Sequence, residues 1–389
     1  MARLEFKNFA NRKTLNALPK VLIKRLLEPY RTYCKGRGLD IDALKDGDSE
    51  DNDRLMAFFS TPDPGMTPAL LQALHQVDAL STEHGHDLLL DYAEESGVPL
   101  GVSQPELGPR GFALLAYLDH RDLFLVAHDR QSIEKVQSFQ EYAAKADRRL
   151  KLESVQPKLK AVEEELGKFF QQRRRSEYCK IRSYLVDDEF SFVISHGRLY
   201  RSDGSVEKER WESQVSYRPL QDDVVQYDNR SFRLKVKASD PKTREQYRRA
   251  FASHLFSDAD FFGTGEVFTL KPLLDLGSEA LVPTPGIKSV ALVELRWMLK
   301  NNRRTVFILQ SNDVLGELEG RTEIGLGKGE VFYAKLMVRY ASGGRPRKIE
   351  LKLPNQAIYN RGRDLQATKD FLEQRGFNCP RVRVEDDPS

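Results

Sequence analysis

Glu350-Leu351-Lys352 is the stretch of this sequence whose residue types and spacing come nearest to catalytic chemistry. Side chains alternate between the faces of a strand, so Glu350 and Lys352 would share one side. With an upstream acid, for which Glu330 and Asp313 are available, such a pair could hold a divalent metal and stabilise charge at a cleaved phosphodiester, as metal-dependent nucleases do. The same alternation has a simpler consequence. Ile349, Leu351 and Leu353 would fill a core and leave Glu350 and Lys352 on a solvated strand face, where replacement by Ala costs no more than about 0.5 kcal/mol. We read the pair in this second way, so no catalytic residue is assigned and the nuclease stands as the alternative.

Phosphate contact is the other chemistry that the residues suggest. Arg173, Arg174, Arg175, Lys180 and Arg182 cluster, with Lys168 just upstream; Arg244, Arg248 and Arg249 share a helical stretch; Arg339, Arg345, Arg347 and Lys348 surround a Gly-Gly pair. Tyr178, Tyr184, Tyr247 and Tyr340 lie among them and could stack on bases. Lys and Arg total 61 against 58 acidic residues, a net charge of +3, so the case for nucleic acid rests on local clustering. Binding is assigned to Arg173, Arg174, Arg175, Lys180, Arg182, Arg345, Arg347 and Lys348.

The histidines and cysteines suggest less. His84 and His86 flank Gly85 beside Glu83 and Asp87 in a segment read as a loop, but no third His or Cys follows at a ligand-like distance. No metal site and no cofactor is expected. His120 and His128 lie among Asp119, Asp122 and Asp129, and His196 precedes a glycine at a strand end, so each could serve as a general base. Ser195 lacks the flanking glycines of a nucleophile elbow. Cys179 sits by Lys180 and Arg175, which would lower its pKa, without a histidine close in sequence. Cys34, Cys179 and Cys379 are odd in number and widely spaced, the usage of a reduced, cytoplasmic chain. The first nine residues lack a continuous apolar core, and no uncharged apolar stretch approaches roughly 18 residues, so no membrane association is expected.

The elements that must position these residues change character near residue 177. Before it, apolar residues recur at helical spacing: Leu15, Leu18, Leu22, Leu26 and Tyr30; then a short helix over Asp53–Phe59 stopped by Pro62 and Pro64; then Leu70, Leu71, Leu74, Val77 and Leu80 behind a Thr67-Pro68 start; then Asp87–Glu95 ending at Gly97. The last two helices outline a helix-turn-helix, but Asp87, Asp91, Glu94 and Glu95 would repel phosphate. An apolar segment, 112–126, leads to a long helical stretch from about Ser132, broken at Pro157. Beyond it Leu159, Val162, Leu166 and Phe169 form a narrow seam, assigned to an interface.

After residue 177 the pattern alternates. Phe190, Phe192 and Ile194 mark a strand turning at His196-Gly197, and Val224 to Val236 a hairpin turning at Asp228-Asn229. A helix over Pro241–Leu255 follows. Strands are then expected at 267–270, 290–295, 305–309, 331–340 and 348–353, the last two closed by Gly343-Gly344, before a helix over Asp364–Gln374 capped by Gly376. The expected fold is α+β, a helical N-terminal half followed by a strand-rich mixed C-terminal half. Its parts are a helical domain over 1–131, a long helical connector over 132–176 and a strand-rich domain over 177–389, with a sub-boundary near 275–287.

The second half resembles an uncharacterised bacterial family of phage-defence gene neighbourhoods. The resemblance rests on Phe192–Gly197, Tyr217-Arg218-Pro219 with Asp223 and Tyr227, Phe268–Leu273, Leu353–Ala357 and Arg375-Gly376-Phe377. It implies partner proteins of the same system and transfers no catalytic residue. We therefore expect a non-catalytic nucleic-acid-binding or adaptor subunit of a bacterial multi-protein system. The alternatives are the metal-dependent nuclease and a protein-interaction scaffold built on the 159–169 seam. The oligomeric state is left open.

Overall fold

The structure is a computed structural model that describes residues 9, 11–60, 65–100, 107–186, 188–207, 210–299, 305–318 and 329–380, with the side chains of 203–215 left aside. Pro62 and Pro64 lie outside the described residues. The chain divides into two compact units, Met1–Ile133 and Glu134–Ser389. The fold class is α+β.

Among its described residues the first unit is helical: α1 (Arg12–Ala17), α2 (Lys20–Leu27), α3 (Arg31–Gly36), α4 (Ser49–Ser60), α5 (Pro68–Leu80), α6 (Glu83–Ser96), α7 (Gly108–Asp119) and α8 (Arg121–Glu134). Thr67 caps α5 ahead of Pro68 as its sequence predicts. The next helix starts earlier than expected. Thr82 accepts from the Gly85 N–H and nucleates α6, so His84 and His86 lie in a helical turn, not a loop. Gly85 is required there, since a Cβ would come within 2.3 Å of the Leu80 carbonyl oxygen. His86 packs its ring on Phe112, with centroids 4.6 Å apart.

The second unit is built on one ten-stranded antiparallel sheet, and its elements are β1 (Ser138–Ala143), α9 (Leu152–Gln172), β2 (Cys179–Val186), β3 (Glu189–Gly197), β4 (Arg201–Glu207), β5 (Arg210–Tyr217), β6 (Leu220–Asp228), β7 (Arg233–Lys237), α10 (Pro241–Phe256), α11 (Lys271–Asp275), β8 (Ile287–Leu299), β9 (Val306–Gln310), α12 (Val314–Leu318), β10 (Gly329–Tyr340), β11 (Arg347–Lys352), β12 (Gln356–Tyr359) and α13 (Leu365–Gln374). The strand order is β2-β3-β6-β7-β1-β12-β11-β10-β8-β9, and β4 and β5 form a separate two-stranded ribbon.

The expected helical run from Ser132 is corrected by this topology. Helix α8 stops at Glu134, and 138–143 is a strand lying between β7 and β12. Six residues satisfy either period, and pairing with two distant strands decides the outcome. Residues 267–270 are not a strand; Phe268 makes a single bridge to Asn378, while Val267, Phe268 and Leu270 are buried. The expected turn at His196-Gly197 is the end of β3, which runs through both residues. Pro157 does not break α9. It sits in the helix's second turn, where one lost hydrogen bond is outweighed by the buried row Val155, Leu159, Val162, Leu166 and Phe170.

The two faces of the sheet carry separate cores. Tyr142 lies opposite Leu234, and its face is covered by α9 and α10 with Phe190, Phe192, Ile194, Val225 and Tyr227. Phe139 points the other way, opposite Ala357. On that face Leu336, Val338, Ile349 and Leu351 pack with Phe371 and Leu372 of α13. Leu159, Val162 and Leu166 thus belong to the first of these cores, with Phe169 partly buried at its margin. Their assignment to an interface is corrected: the chain's own sheet covers them.

Beside the second core, the same face of β3, β6, β7 and β1 is occupied by ions. Lys235 pairs with Glu189 and Asp228, Lys369 reaches both carboxylates from α13, and Glu141 meets Arg233 and Arg361. Burial pushes the Glu189 carboxyl up, but Lys235 and Lys369 outweigh it and hold it down at about 2. The same cations hold Asp228 well below the usual range against the opposing effect of burial.

Two outcomes follow from this packing. Val162→Asp or Leu166→Asp places an unpaired charge in the core and should cost more than about 3 kcal/mol; loss of near-UV circular dichroism at 25 °C is expected, and a native melting temperature would place the seam on the surface. Because Glu189 and Asp228 titrate lower folded than unfolded, their contribution is complete above about pH 4.5 and is lost as pH falls toward about 2. Lys235→Met should raise both folded pKa values, so acid unfolding followed by far-UV circular dichroism should have its midpoint at higher pH than in the parent.

Candidate nucleic-acid interface

Helix α9 ends in a glycine-type cap built on arginine. The Arg175 N–H donates to the Phe170 carbonyl and the Arg174 N–H to the Gln171 carbonyl, both at 2.9 Å, while Arg174 takes the left-handed conformation at φ 58°. This reversal sorts the three arginines. Arg173 and Arg175 turn inward to Asp240, at 3.0 and 3.3 Å, with their guanidinium groups over Phe169 and Phe170. Arg174 remains exposed. Asp240 is the N-cap of α10 and accepts from the Thr243 N–H and hydroxyl. Burial pushes its carboxyl up, yet these bonds and Arg173 hold it well below the ordinary range. Arg173 and Arg175 therefore clamp α9 to α10.

The other expected binding residues are dispersed. Lys180 is exposed and pairs with Glu163 at 3.2 Å; Arg182 is half-buried and donates to Ser195 at 3.0 Å. Arg347 pairs with Asp364 at the start of α13, and Lys348 donates to Glu350 at 2.7 Å. Arg345 is exposed in the β10–β11 turn. Strands β2 and β11 are six positions apart in the sheet, on the order of 29 Å. The two basic groups do not form one surface.

What the fold does assemble is a patch at the base of the β4–β5 ribbon. Arg218 donates to the carbonyls of Arg174 and Arg198, at 3.0 and 3.2 Å, and the Arg198 N–H donates to Pro219 at 2.8 Å. Gly197 approaches Ser176 so closely that a Cβ would lie 2.6 Å from the serine Cβ. Three loops are drawn together. They expose Arg174, Arg198, Arg201 and Arg218 alongside Tyr178, Tyr200 and Tyr217. The Arg218 guanidinium lies 4.4 Å from the Tyr200 ring centre, and Arg201 is opposite Tyr217 in the ribbon. Among the described residues no carboxylate pairs with Arg174, Arg198 or Arg218; the neighbouring Glu177 accepts from Gln171.

Only Arg174 and Tyr178 of this patch were read as candidates from the sequence. The adjacent pairs Tyr200-Arg201 and Tyr217-Arg218 are the sequence signal that marks the rest of it. Of the other tyrosines named there, Tyr184 is half-buried and Tyr247 and Tyr340 are in the core, out of reach of a base. The third basic group is divided as well: Arg248 is buried and holds Glu245 and the Phe262 carbonyl, while Arg249 is exposed.

Of the catalytic candidates, His196, Cys179 and Glu350 are engaged in packing. His196 is buried, stacked on Phe170 at 4.0 Å, with Nε2 3.1 Å from Asp223, which also accepts from Tyr247 at 2.9 Å. Burial pushes the Cys179 thiol up to about 12, reinforced by Glu163 and Asp223, the reverse of the activation that its basic neighbours suggested. Glu350 is also corrected. It is buried, not solvated, and accepts from Tyr333 at 3.0 Å and Lys348 at 2.7 Å. Lys352 is half-buried, its ammonium 5.9 Å from the Tyr333 ring centre. Asp313 accepts from the Gly316 N–H in α12, and Glu330 is exposed at the start of β10. Among the described residues no three His, Cys, Asp or Glu side chains gather as metal ligands would.

No protein-family model matches the chain, and no curated protein matches it. Among the described residues no helix is long and apolar enough to cross a membrane.

Glu350→Ala should strand the Tyr333 hydroxyl in a buried setting and cost about 1–3 kcal/mol, more than the surface value expected from its sequence. Denaturant melts check this, and a loss below about 0.5 kcal/mol would return Glu350 to a solvated face.

Proposed function

We propose that the protein is a non-catalytic nucleic-acid-binding or adaptor subunit of a bacterial multi-protein system, acting in the cytoplasm and contacting phosphates through Arg174, Arg198, Arg201 and Arg218. The observation that carries this reading is the convergence of exposed arginines on three loops, held by the two carbonyl bonds of Arg218. Like charges brought together raise the local potential and favour a partner with closely spaced negative charge. The resemblance of the second half to phage-defence proteins supports the multi-protein setting. The Glu-x-Lys nuclease has less support, because Glu350 is already engaged by Tyr333 and Lys348.

Arg174 offers a test that separates binding from folding. A non-glycine residue in the left-handed region costs roughly 1–2 kcal/mol, and glycine is the usual occupant of this cap position. Arg174→Gly should leave stability unchanged or raise it by about 1 kcal/mol while weakening oligonucleotide binding. For the parent chain, log affinity should fall linearly with log salt, by about 0.7 per phosphate on single strands and 0.9 on duplex DNA. Arg174→Gly and Arg198→Ala should each flatten that slope. Absence of binding at low salt to DNA and RNA of either strandedness would remove this reading.

A further inference from the structure

Resting on the nucleic-acid reading above, we infer that the ligand of the patch is an unpaired strand, whose bases stack on Tyr178 and Tyr200 while its phosphates meet the surrounding arginines. The most exposed large apolar side chains among the described residues are Tyr178 at 80%, Leu220 at 69% and Tyr200 at 66%; Leu220 lies opposite Gly197 in the β3–β6 ladder, so all three belong to this patch. Leu199 and Tyr217 extend it. Apolar area left in water in one place marks a contact surface, and here the contact must also match Arg174, Arg198 and Arg218, which pair with no carboxylate among the described residues.

A double helix supplies the phosphates but hides its base faces within the stack, so exposed rings would gain little from it. A single strand supplies both. Every base has a π-face, which makes ring stacking tolerant of sequence, and the strand's charge follows the arginines. The Arg218 guanidinium already covers one side of the Tyr200 ring, leaving the other for a base. A protein partner would also value tyrosine and arginine. It would have to supply several carboxylates at close spacing, which a phosphodiester backbone provides without special arrangement.

The test uses the full chain and fluorescence anisotropy with labelled 16-nucleotide DNA and RNA, each single-stranded and as duplex, at matched ionic strength. Single strands should bind about tenfold or more tighter than duplexes. Tyr178→Ala and Tyr200→Ala should each weaken single-strand binding by about tenfold, with duplex binding and melting temperature unchanged, and Tyr178→Phe should restore it. Tight binding of either sugar series supports the inference, the tighter one naming the ligand. Equal binding of single and double strands, with the tyrosine variants unaffected and Arg174→Gly and Arg198→Ala weakened, would overturn stacking and leave phosphate contact standing. Binding of no oligonucleotide would overturn both readings and assign the surface to a protein partner.

Discussion

Strand β1 makes two ladders, and the second unit depends on both. Gln140 lies opposite Val236 on one side and Gln356 on the other, so one short strand joins β2-β3-β6-β7 to β12-β11-β10-β8-β9. Its alternation also divides the interior: Tyr142 faces the core under α9 and α10, and Phe139 the opposite face. A slip of one residue would exchange these faces and bring Glu141 into an apolar core. Glu141 is instead met by Arg233 and Arg361, which ties the register of β1 to charge as well as to packing.

The charged side chains of this unit serve mainly to position elements. Lys369 joins α13 to β3 and β6, Arg347 holds the start of the same helix, and Arg173 with Arg175 binds α9 to the cap of α10. Such pairs contribute little net stability when compared with apolar packing, but breaking one leaves a costly unpaired charge. They specify where helices dock. Density of basic residues along the chain is therefore a poor guide to a binding surface here, because most of the cluster at 173–182 is engaged internally.

The patch is a by-product of that same clamp. Turning Arg173 and Arg175 inward requires the left-handed residue between them, and that turn sends Arg174 outward to meet loops from β3–β4 and β5–β6. Arg218 stabilises the meeting by donating to two carbonyls that would otherwise rely on water. Ordering the loops through backbone acceptors leaves the arginine and tyrosine side chains of the rim facing solvent.

Local signals in the sequence determined much of the secondary structure. Thr67-Pro68, Gly97, Gly343-Gly344 and Gly376 mark caps and turns where the structure has them, because these residue types act through their own backbone conformation and nearest hydrogen bonds. Alternation located β6, β7, β10 and β11 for the same local reason. Tertiary structure alone decided the rest. Residues 138–143 carry no strong period and became a strand by pairing with two partners distant in sequence; Glu350 became buried because Tyr333 and Lys348 close over it. The apolar stripe of α9 was legible, but whether a sheet or another chain covers it was not. Above all, Arg174, Tyr200 and Arg218 are neighbours only because loops far apart in sequence share two carbonyl acceptors, and spacing along a chain carries no record of such a contact.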